Sequence, residues 1–271
     1  GLAAVLDTAP LAAQARGGLG MALARPLVTA RGMAMRTRLG RLYHPGVRLE
    51  RIAEAAVHWR DAWGRARVTA CDAVALGWHL RAETQLADLA GARFAWSEPW
   101  AQWLPVADDM GRAGPGLYLA GDGLRILGAD GAEVAGTLAA NACLNDLGIA
   151  TPDSAALLRR AQRLRRFALA LARAFPWPSG QLDALADAAV LCRCEGVTVG
   201  QMRAAVDLGG AEANRVKSLG RIGMGRCQGR YCQLAAAELI ARHAGIAPQA
   251  VGRLRGQPPV RPVPVAALLE D

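Results

Sequence analysis

The sequence predicts a mixed α/β region followed by a small all-helical domain. Two short apolar segments, Leu2–Leu6 and Leu117–Ala120, are each followed within two residues by an aspartate. The second is continued by a glycine-rich loop and a predicted helix from about Ala132 to Leu147, an order typical of α/β proteins. Further on, the sequence T-x-x-Q at Thr198 marks the start of a run of helices. The predicted fold class is therefore α/β with a small all-α domain after it.

The α/β region begins with a long helical stretch. Apolar spacing predicts helix over Leu11–Leu42, with an interruption at Pro26 because proline lacks the backbone N–H that a helix interior needs. Short β-rich runs then predict four strands, Val47–Glu50, Ala55–Trp59, Arg65–Thr69 and Ala73–Leu76.

The start of the chain resembles part of a nucleotide-binding unit. Leu2–Leu6 and Asp7 fit the second strand of a βαβ unit with its terminal acid, a candidate ribose ligand. The G-x-G-x-x-G turn that should precede this strand does not occur in the sequence. Either the chain is a fragment, or these residues have lost a nucleotide site. We favour a fragment that lacks its N-terminal portion.

The second apolar segment leads into a candidate binding turn, Gly121-Asp122-Gly123. A carboxylate at the end of a strand can accept hydrogen bonds from sugar or ribityl hydroxyls, and glycine permits close approach of the backbone. The stretch GLYLAGDG resembles the second FAD-binding motif of glutathione-reductase-like flavoproteins. That resemblance implies FAD as a cofactor, with Asp122 on its ribityl chain. The alternative is an ordinary strand, turn and helix with a solvated Asp122.

Four cysteines in the last third form two pairs. Cys192 and Cys194 have the spacing C-x-C, and Cys227 and Cys232 follow after 32 intervening residues as C-x4-C. Two pairs of soft ligands predict a four-thiolate metal site. Zinc and an iron–sulfur cluster are both compatible with such a set, and buried or disulfide-bonded cysteines remain a third possibility.

The segments CRCEGVT and GMGRCQGRYC resemble the bacterioferritin-associated-ferredoxin-like (BFD-like) domain over about 188–245. This resemblance implies a [2Fe-2S] cluster held by the four cysteines. A capping box at Thr198 predicts one helix ending at Gly209-Gly210, a second is expected over Ala211–Leu219, and a third over Arg230–His243. Cys232 would lie in the first turn of the third helix, where free N–H groups favour a thiolate. We expect Gly223, Gly225 and Gly229 to let the backbone approach the cluster.

Composition argues against a nucleic-acid partner. The net charge is +9, yet Lys217 is the sole lysine and the basic residues are not interleaved with stacking aromatic groups. Arginines concentrate in an amphipathic stretch, Leu157–Arg173, which we interpret as a helix docked on the body; a subunit or peripheral membrane contact is the alternative. The longest uncharged run, Val134–Asn145, has 12 residues, too few to span a membrane. The cysteine usage favours a cytoplasmic protein.

These signals predict five consecutive segments. They are a partial FAD/NAD(P)-binding-type α/β region, the FAD return motif, a helical linker, the BFD-like domain and a proline-rich tail, over 1–113, 114–150, 151–187, 188–245 and 246–271 respectively.

The order of the parts resembles one family over nearly the whole chain: AVLDTAP, CDAVALGWHLRAETQLA, GLYLAGDG, FPWP, the cysteine segment and RPVPVAAL. The chain is similar to the FAD- and [2Fe-2S]-containing alpha subunits of heteromeric amine and imino-acid dehydrogenases, such as opine oxidase, hydrogen cyanide synthase and D-hydroxyproline dehydrogenase. The resemblance implies an oxidoreductase subunit that relays electrons beside an amine-oxidase-like flavoprotein beta subunit. No catalytic residue is assigned, and the substrate and electron acceptor stay open. An NAD(P)H-dependent flavoprotein reductase, or a non-catalytic electron-transfer module, is the alternative.

Overall fold

A computed structural model describes residues 1–268. Helices alternate with short strands in the first two thirds of the chain, and helices dominate the last third. The helices are α1 (Leu11–Ala24), α2 (Pro26–Leu39), α3 (Gln85–Leu89), α4 (Ala129–Asp146), α5 (Ala155–Ala174), α6 (Val199–Gly209), α7 (Ala213–Gly220) and α8 (Gln233–Ala244). The strands are β1 (Val5–Asp7), β2 (Tyr43–Pro45), β3 (Arg48–Ala53), β4 (Ala56–Arg60), β5 (Ala66–Ala70), β6 (Phe94–Ser97), β7 (Gln102–Pro105), β8 (Arg112–Gly114), β9 (Leu117–Tyr118), β10 (Val190–Cys192) and β11 (Val197–Thr198).

The chain divides into two compact units whose segments alternate along the sequence. The first comprises Gly1–Arg81, Glu98–Ala101 and Ile126–Ala184, and the second Ala82–Ser97, Gln102–Arg125 and Leu185–Asp271. The five consecutive segments expected from the sequence stay a prediction, and the last residues of the expected tail, 269–271, lie outside the described part of the chain. Within residues 1–268, no helix is long and apolar enough to cross a membrane.

The sheets of the first unit are small. β1 pairs with β2 in parallel, with Val5 opposite Tyr43, and β3, β4 and β5 form an antiparallel sheet in that order. Its core contains Val47, Val57 and Trp59. Three of the four predicted strands in this region are confirmed. Ala73–Leu76 is not a strand, because the β4–β5 ladder ends at Ala70 and no strand within the described residues pairs with residues 73–76.

Helices α1 and α5 of the first unit pack closely against each other. A Cβ built on Gly17 of α1 would lie 2.5 Å from the carbonyl oxygen of Ala170 and 2.6 Å from the Cβ of Ala174, so only glycine fits there. Leu164 and Ala168 of α5 are buried and the arginines of this helix are exposed. The interpretation of α5 as a docked amphipathic helix is therefore confirmed. Pro26 begins α2 and separates it from α1, as predicted.

The described residues of the second unit include three two-stranded antiparallel ladders and four α-helices. β6 pairs with β7, β8 with β9, and β10 with β11. Helices α6, α7 and α8 lie close to their predicted positions, and the capping box forms in full between Thr198 and Gln201. The prediction of an all-helical cysteine domain is not confirmed, because the chain enters this region through the β10–β11 hairpin before the first helix begins.

Candidate cofactor-binding site

The first cysteine pair lies on the β10–β11 hairpin. Cys192 is the last residue of β10, is 1% exposed and pairs with Val197 of β11. Cys194 lies in the turn between the strands and is exposed. Cys192 faces the interior, while Cys194 lies in the turn and so comes close to the next loop. The hairpin therefore fixes both members of the C-x-C pair.

The second pair lies on the loop before α8 and at the start of that helix. Cys232 is the N-cap residue of α8 and is 4% exposed, whereas Cys227 is half-buried in the loop. The backbone N–H groups of Gly229, Arg230 and Tyr231 donate to the sulfur of Cys227. Burial would raise the pKa of the Cys227 thiol, but these donors together with Cys194 lower it below its usual value. This loop is thus shaped to hold an anionic sulfur.

The structure brings all four cysteines together. Each cysteine of the C-x-C pair lies close to one cysteine of the C-x4-C pair. The Cys194 thiol lies close to that of Cys227, and the Cys192 thiol lies close to that of Cys232. Burial, followed by the proximity of Cys192, raises the pKa of Cys232 to about 12. The pairing across 32 intervening residues could not be read from local sequence, and it makes a compact group of four sulfur donors.

The three glycines near these cysteines play two different roles. A Cβ on Gly225 would lie 2.2 Å from the Cβ of Cys194, so this glycine lets the second loop approach the hairpin. Gly223 and Gly229 have left-handed φ angles of +80° and +83°, and a Cβ on either would lie within 2.6 Å of Leu254. Gly225 thus brings the second loop close to Cys194, whereas the other two accommodate a leucine side chain of the segment after α8, and the expected approach of the glycines to a cluster stays a prediction.

The arrangement of the four sulfurs bears on whether the cysteines form disulfides or hold a metal group. All six cysteines of the chain lie in the described residues and none forms a disulfide. Within the same residues, no three Cys, His, Asp or Glu side chains are placed as ligands of a single metal ion. A [2Fe-2S] cluster takes two protein ligands on each of its two irons, so two adjacent pairs are the donor set that it requires. Tetrahedral zinc needs four sulfurs about one point, and zinc stays the alternative to a cluster at this site.

The Gly121–Gly123 turn is a short 3-10 helix that follows β9 in the second unit. Gly121 has a left-handed φ of +60°, and Asp122 is exposed. The carbonyl oxygen of Glu83 lies 3.9 Å from the position of a Cβ on Gly123. The predicted strand before the turn is shorter than expected, Leu117–Tyr118, and the predicted helix after it begins slightly earlier, at Ala129.

Asp7, the candidate ribose ligand, is engaged within the first unit. Its carboxylate accepts hydrogen bonds from the Ala9 N–H at 2.8 Å, the Tyr43 hydroxyl at 2.5 Å and the Gln14 amide at 3.3 Å. Burial, and then the bond to Asp7, raise the pKa of Tyr43 to about 12. These contacts tie β1 to β2 and α1, which favours a structural role for this carboxylate.

Two residues that contact the cysteine loop, Glu83 and Gln85, were not predicted from the sequence. Arg230 forms an ion pair with Glu83, and Gln85 donates to the carbonyl oxygen of Gln228 at 2.9 Å. The contacting residues are more than 140 positions apart in the sequence. No local pattern signals such pairs, and they become visible once the second unit is assembled.

Comparison with known proteins adds a domain match to this geometry. Residues 189–270 match the sarcosine oxidase A3 domain. The match includes the β10–β11 hairpin, α6 to α8 and all four cysteines.

Relatives with longer chains share most of this sequence. The chain is 37% identical over 193 residues to an opine oxidase subunit of Rhizobium meliloti, covering 69% of this chain and 37% of that protein. It is 28% identical over 221 residues to the hydrogen cyanide synthase subunit HcnB of Pseudomonas aeruginosa, covering 80% of this chain and 47% of that protein. The chain thus spans less than half the length of these relatives.

A solved structure shares the fold. The L-proline dehydrogenase from P. horikoshii superposes with a TM-score of 0.63 at 18% identity, covering 86% of this chain and 47% of that one. The mixed α/β fold predicted from the sequence is therefore also the fold of this neighbour.

Proposed function

We propose that this chain is part of an FAD- and [2Fe-2S]-dependent oxidoreductase subunit, which relays electrons during oxidation of the C–N bond of an amine, imino or opine-type amino acid. The observation that carries the proposal is the convergence of Cys192, Cys194, Cys227 and Cys232 in two adjacent pairs. The names of the relatives, an oxidase and a synthase, support an oxidoreductase, and opine oxidase supports an amino-acid-type substrate.

The four cysteines are the proposed cluster ligands. Cys192 and Cys232 are held in the buried part of the site, and Cys194 and Cys227 on its outer side. The N–H groups of Gly229, Arg230 and Tyr231 would stabilise the negative charge on the sulfur of Cys227, and hydrogen bonds of this kind tune the potential of a cluster. The exposed Cys194 gives an external electron acceptor a short approach.

Gly121, Asp122 and Gly123 are the proposed FAD contacts. The left-handed φ of Gly121 turns the chain sharply after β9 and leaves the Asp122 carboxylate exposed, where it can accept hydrogen bonds from hydroxyl groups. When bound, FAD would supply two-electron chemistry and the cluster one-electron transfer, so the two groups suit a relay of electrons received from the partner. The residues of this chain orient these groups, and no side chain here is assigned to abstract a substrate proton.

A second subunit completes the proposed enzyme. The relatives are named subunits, and the family resemblance implies that the partner is an amine-oxidase-like flavoprotein beta subunit. We propose that substrate oxidation occurs on the partner and that this subunit receives the electrons.

The test is to purify the full-length subunit with and without its partner and to measure oxidation of opines, proline and related amino acids with an artificial dye as acceptor. The expected result is turnover by the complex and little by the isolated subunit. Amino-acid oxidation of equal rate by the isolated subunit would overturn the relay assignment. NAD(P)H-dependent dye reduction without amino-acid turnover would instead establish the reductase alternative, and no turnover of either kind would establish a non-catalytic module.

A further inference from the structure

We propose that Arg230, Glu83 and Gln85 are positioning residues that lock the cysteine loop to the Gly121–Gly123 turn and so set the coupling between the two cofactors. This inference rests on the proposed function, because it concerns the groups that the cysteines and the turn would hold. All of the contacts that carry it lie within the second unit.

Arg230 connects three segments through one guanidinium group. Its Nε donates to the Glu83 carboxylate, its Nη1 to the carbonyl oxygen of Cys227 at 3.2 Å, and its Nη2 to the carbonyl oxygen of Val260 at 2.8 Å. The fixed fork of an arginine matches such a set of acceptors, and a lysine could not satisfy all of them. The side chain is 23% exposed, so these bonds are partly shielded from water. The carbonyl group of one proposed ligand residue, Cys227, is therefore linked through Arg230 to the 83–85 segment.

A second connection runs in parallel through amide groups. The Gln85 side chain donates to the carbonyl oxygen of Gln228 at 2.9 Å, and the Gln228 side chain donates to the carbonyl oxygen of Pro259 at 2.7 Å. Gln228 has a left-handed φ of +51°, a conformation that is uncommon outside glycine. Its backbone N–H donates to Gly225, the glycine against Cys194. The unusual conformation of Gln228 thus serves to present the loop to Gln85.

The same short segment reaches the proposed flavin turn. The Glu83 carbonyl oxygen lies beside Gly123, where a Cβ would be 3.9 Å away, and the Glu83 carboxylate accepts from the Gln85 N–H at 2.9 Å. Residues 83–85 therefore lie beside the turn and contact the cysteine loop through side chains. Loss of the side-chain contacts would free the loop from the turn without changing any proposed ligand.

In the proposed function, electrons that the flavin would give up one at a time would be gained by the cluster, and the proton that the flavin loses on full reoxidation would pass to solvent. The rate of that step depends on how the two groups are held. The side chains of residues 83 and 85 should consequently affect this rate and leave the cofactor content unchanged.

The experiment uses the full-length partner-bound protein and the variants Glu83→Gln and Gln85→Ala. Glu195→Gln is the matched control, because Glu195 also pairs with an arginine, Arg221, and lies next to Cys194, but contacts neither residue 83 nor residue 85 through the bonds described. The flavin is photoreduced, and the appearance of the reduced cluster is followed by absorption and by EPR. The cluster midpoint potential is measured for each protein.

Both test variants should slow cluster reduction by roughly 10-fold or more, since misplacing a reacting group by about 1 Å can cost on the order of 10²-fold. Their flavin, iron and sulfide contents should stay at the unmodified level. The control should keep the rate and the cofactor contents of the unmodified protein. Unchanged rates in both test variants would overturn the inference, as would an equal slowing in the control. Absence of flavin or cluster from the unmodified protein would count against the proposed function itself, and that result is distinct from either of these.

Discussion

Gly225→Ala should abolish most cluster binding while the fold is retained. The new Cβ would lie 2.2 Å from the Cβ of Cys194 and 3.2 Å from a carboxylate oxygen of Glu195. Carbon atoms in contact prefer about 3.5–4.0 Å, so one loop must move by roughly 1 Å or more. Ligand positions in metal sites are held to about 0.2 Å, and a displacement of this size separates the cysteine pairs. We expect iron and sulfide to fall to a small fraction of the unmodified content.

The matched control for this prediction is Gly114→Ala in β8 of the same unit, where an added Cβ meets nothing within 4 Å. Both variants would be purified anaerobically and analysed for iron, sulfide and the EPR signal of the reduced protein, with circular dichroism to follow folding. The control should keep its full content. Full cluster occupancy in Gly225→Ala would refute the assignment of this glycine to the approach of the cysteine loops.

Three further predictions concern stability and flavin binding. In denaturant unfolding, Gly17→Ala should destabilise by about 1–3 kcal/mol through overpacking, whereas its neighbour Gly18→Ala, with open space, should stabilise by up to about 1 kcal/mol. Asp122→Ala should weaken FAD binding by roughly 10- to 100-fold in a titration of the full-length apoprotein. This loss corresponds to one hydrogen bond to a charged group, which contributes about 1.5–3 kcal/mol. The hydrogen bond from Arg253 lowers the pKa of Asp88, so its stabilisation is present above the ordinary aspartate pKa and is lost as the pH falls through the lowered value. Asp88→Asn should therefore reduce the pH dependence of the unfolding free energy below about pH 4.

Each of these has a clear opposing result. Equal stability of Gly17→Ala and Gly18→Ala would show that α1 and α5 do not meet at Gly17. Unchanged FAD affinity in Asp122→Ala would show a solvated carboxylate. An unfolding profile in acid that is identical with and without the Asp88 carboxylate would show that its ion pair contributes nothing.

The parts that the sequence predicted are those specified locally. The capping box at Thr198 and the break at Pro26 depend on residues within one turn, and both form as predicted. The β10–β11 hairpin was not predicted. Its strands are only three and two residues long, and the residues around Cys192 and Cys194 show no alternating apolar pattern. Ala73–Leu76 has a strand-like composition but no pairing partner among the described residues, which a one-dimensional pattern cannot reveal.

The candidate site shows the same division. The cysteine spacing indicated four ligands, and the structure pairs Cys192 with Cys232 and Cys194 with Cys227. Neither this pairing nor the contact between Glu83 and Arg230 follows from the sequence, because the residues that meet are far apart along the chain. Long-range contacts of this kind depend on the packing of whole elements.

The central claim is that the four cysteines hold a [2Fe-2S] cluster, and metal and sulfide analysis of the anaerobically purified full-length protein tests it most directly. We expect a brown protein with iron and acid-labile sulfide in equal amounts, about two of each per chain. Cys194→Ser should lower both together, since one of the four proposed ligands is lost. Stoichiometric zinc without sulfide would contradict the account.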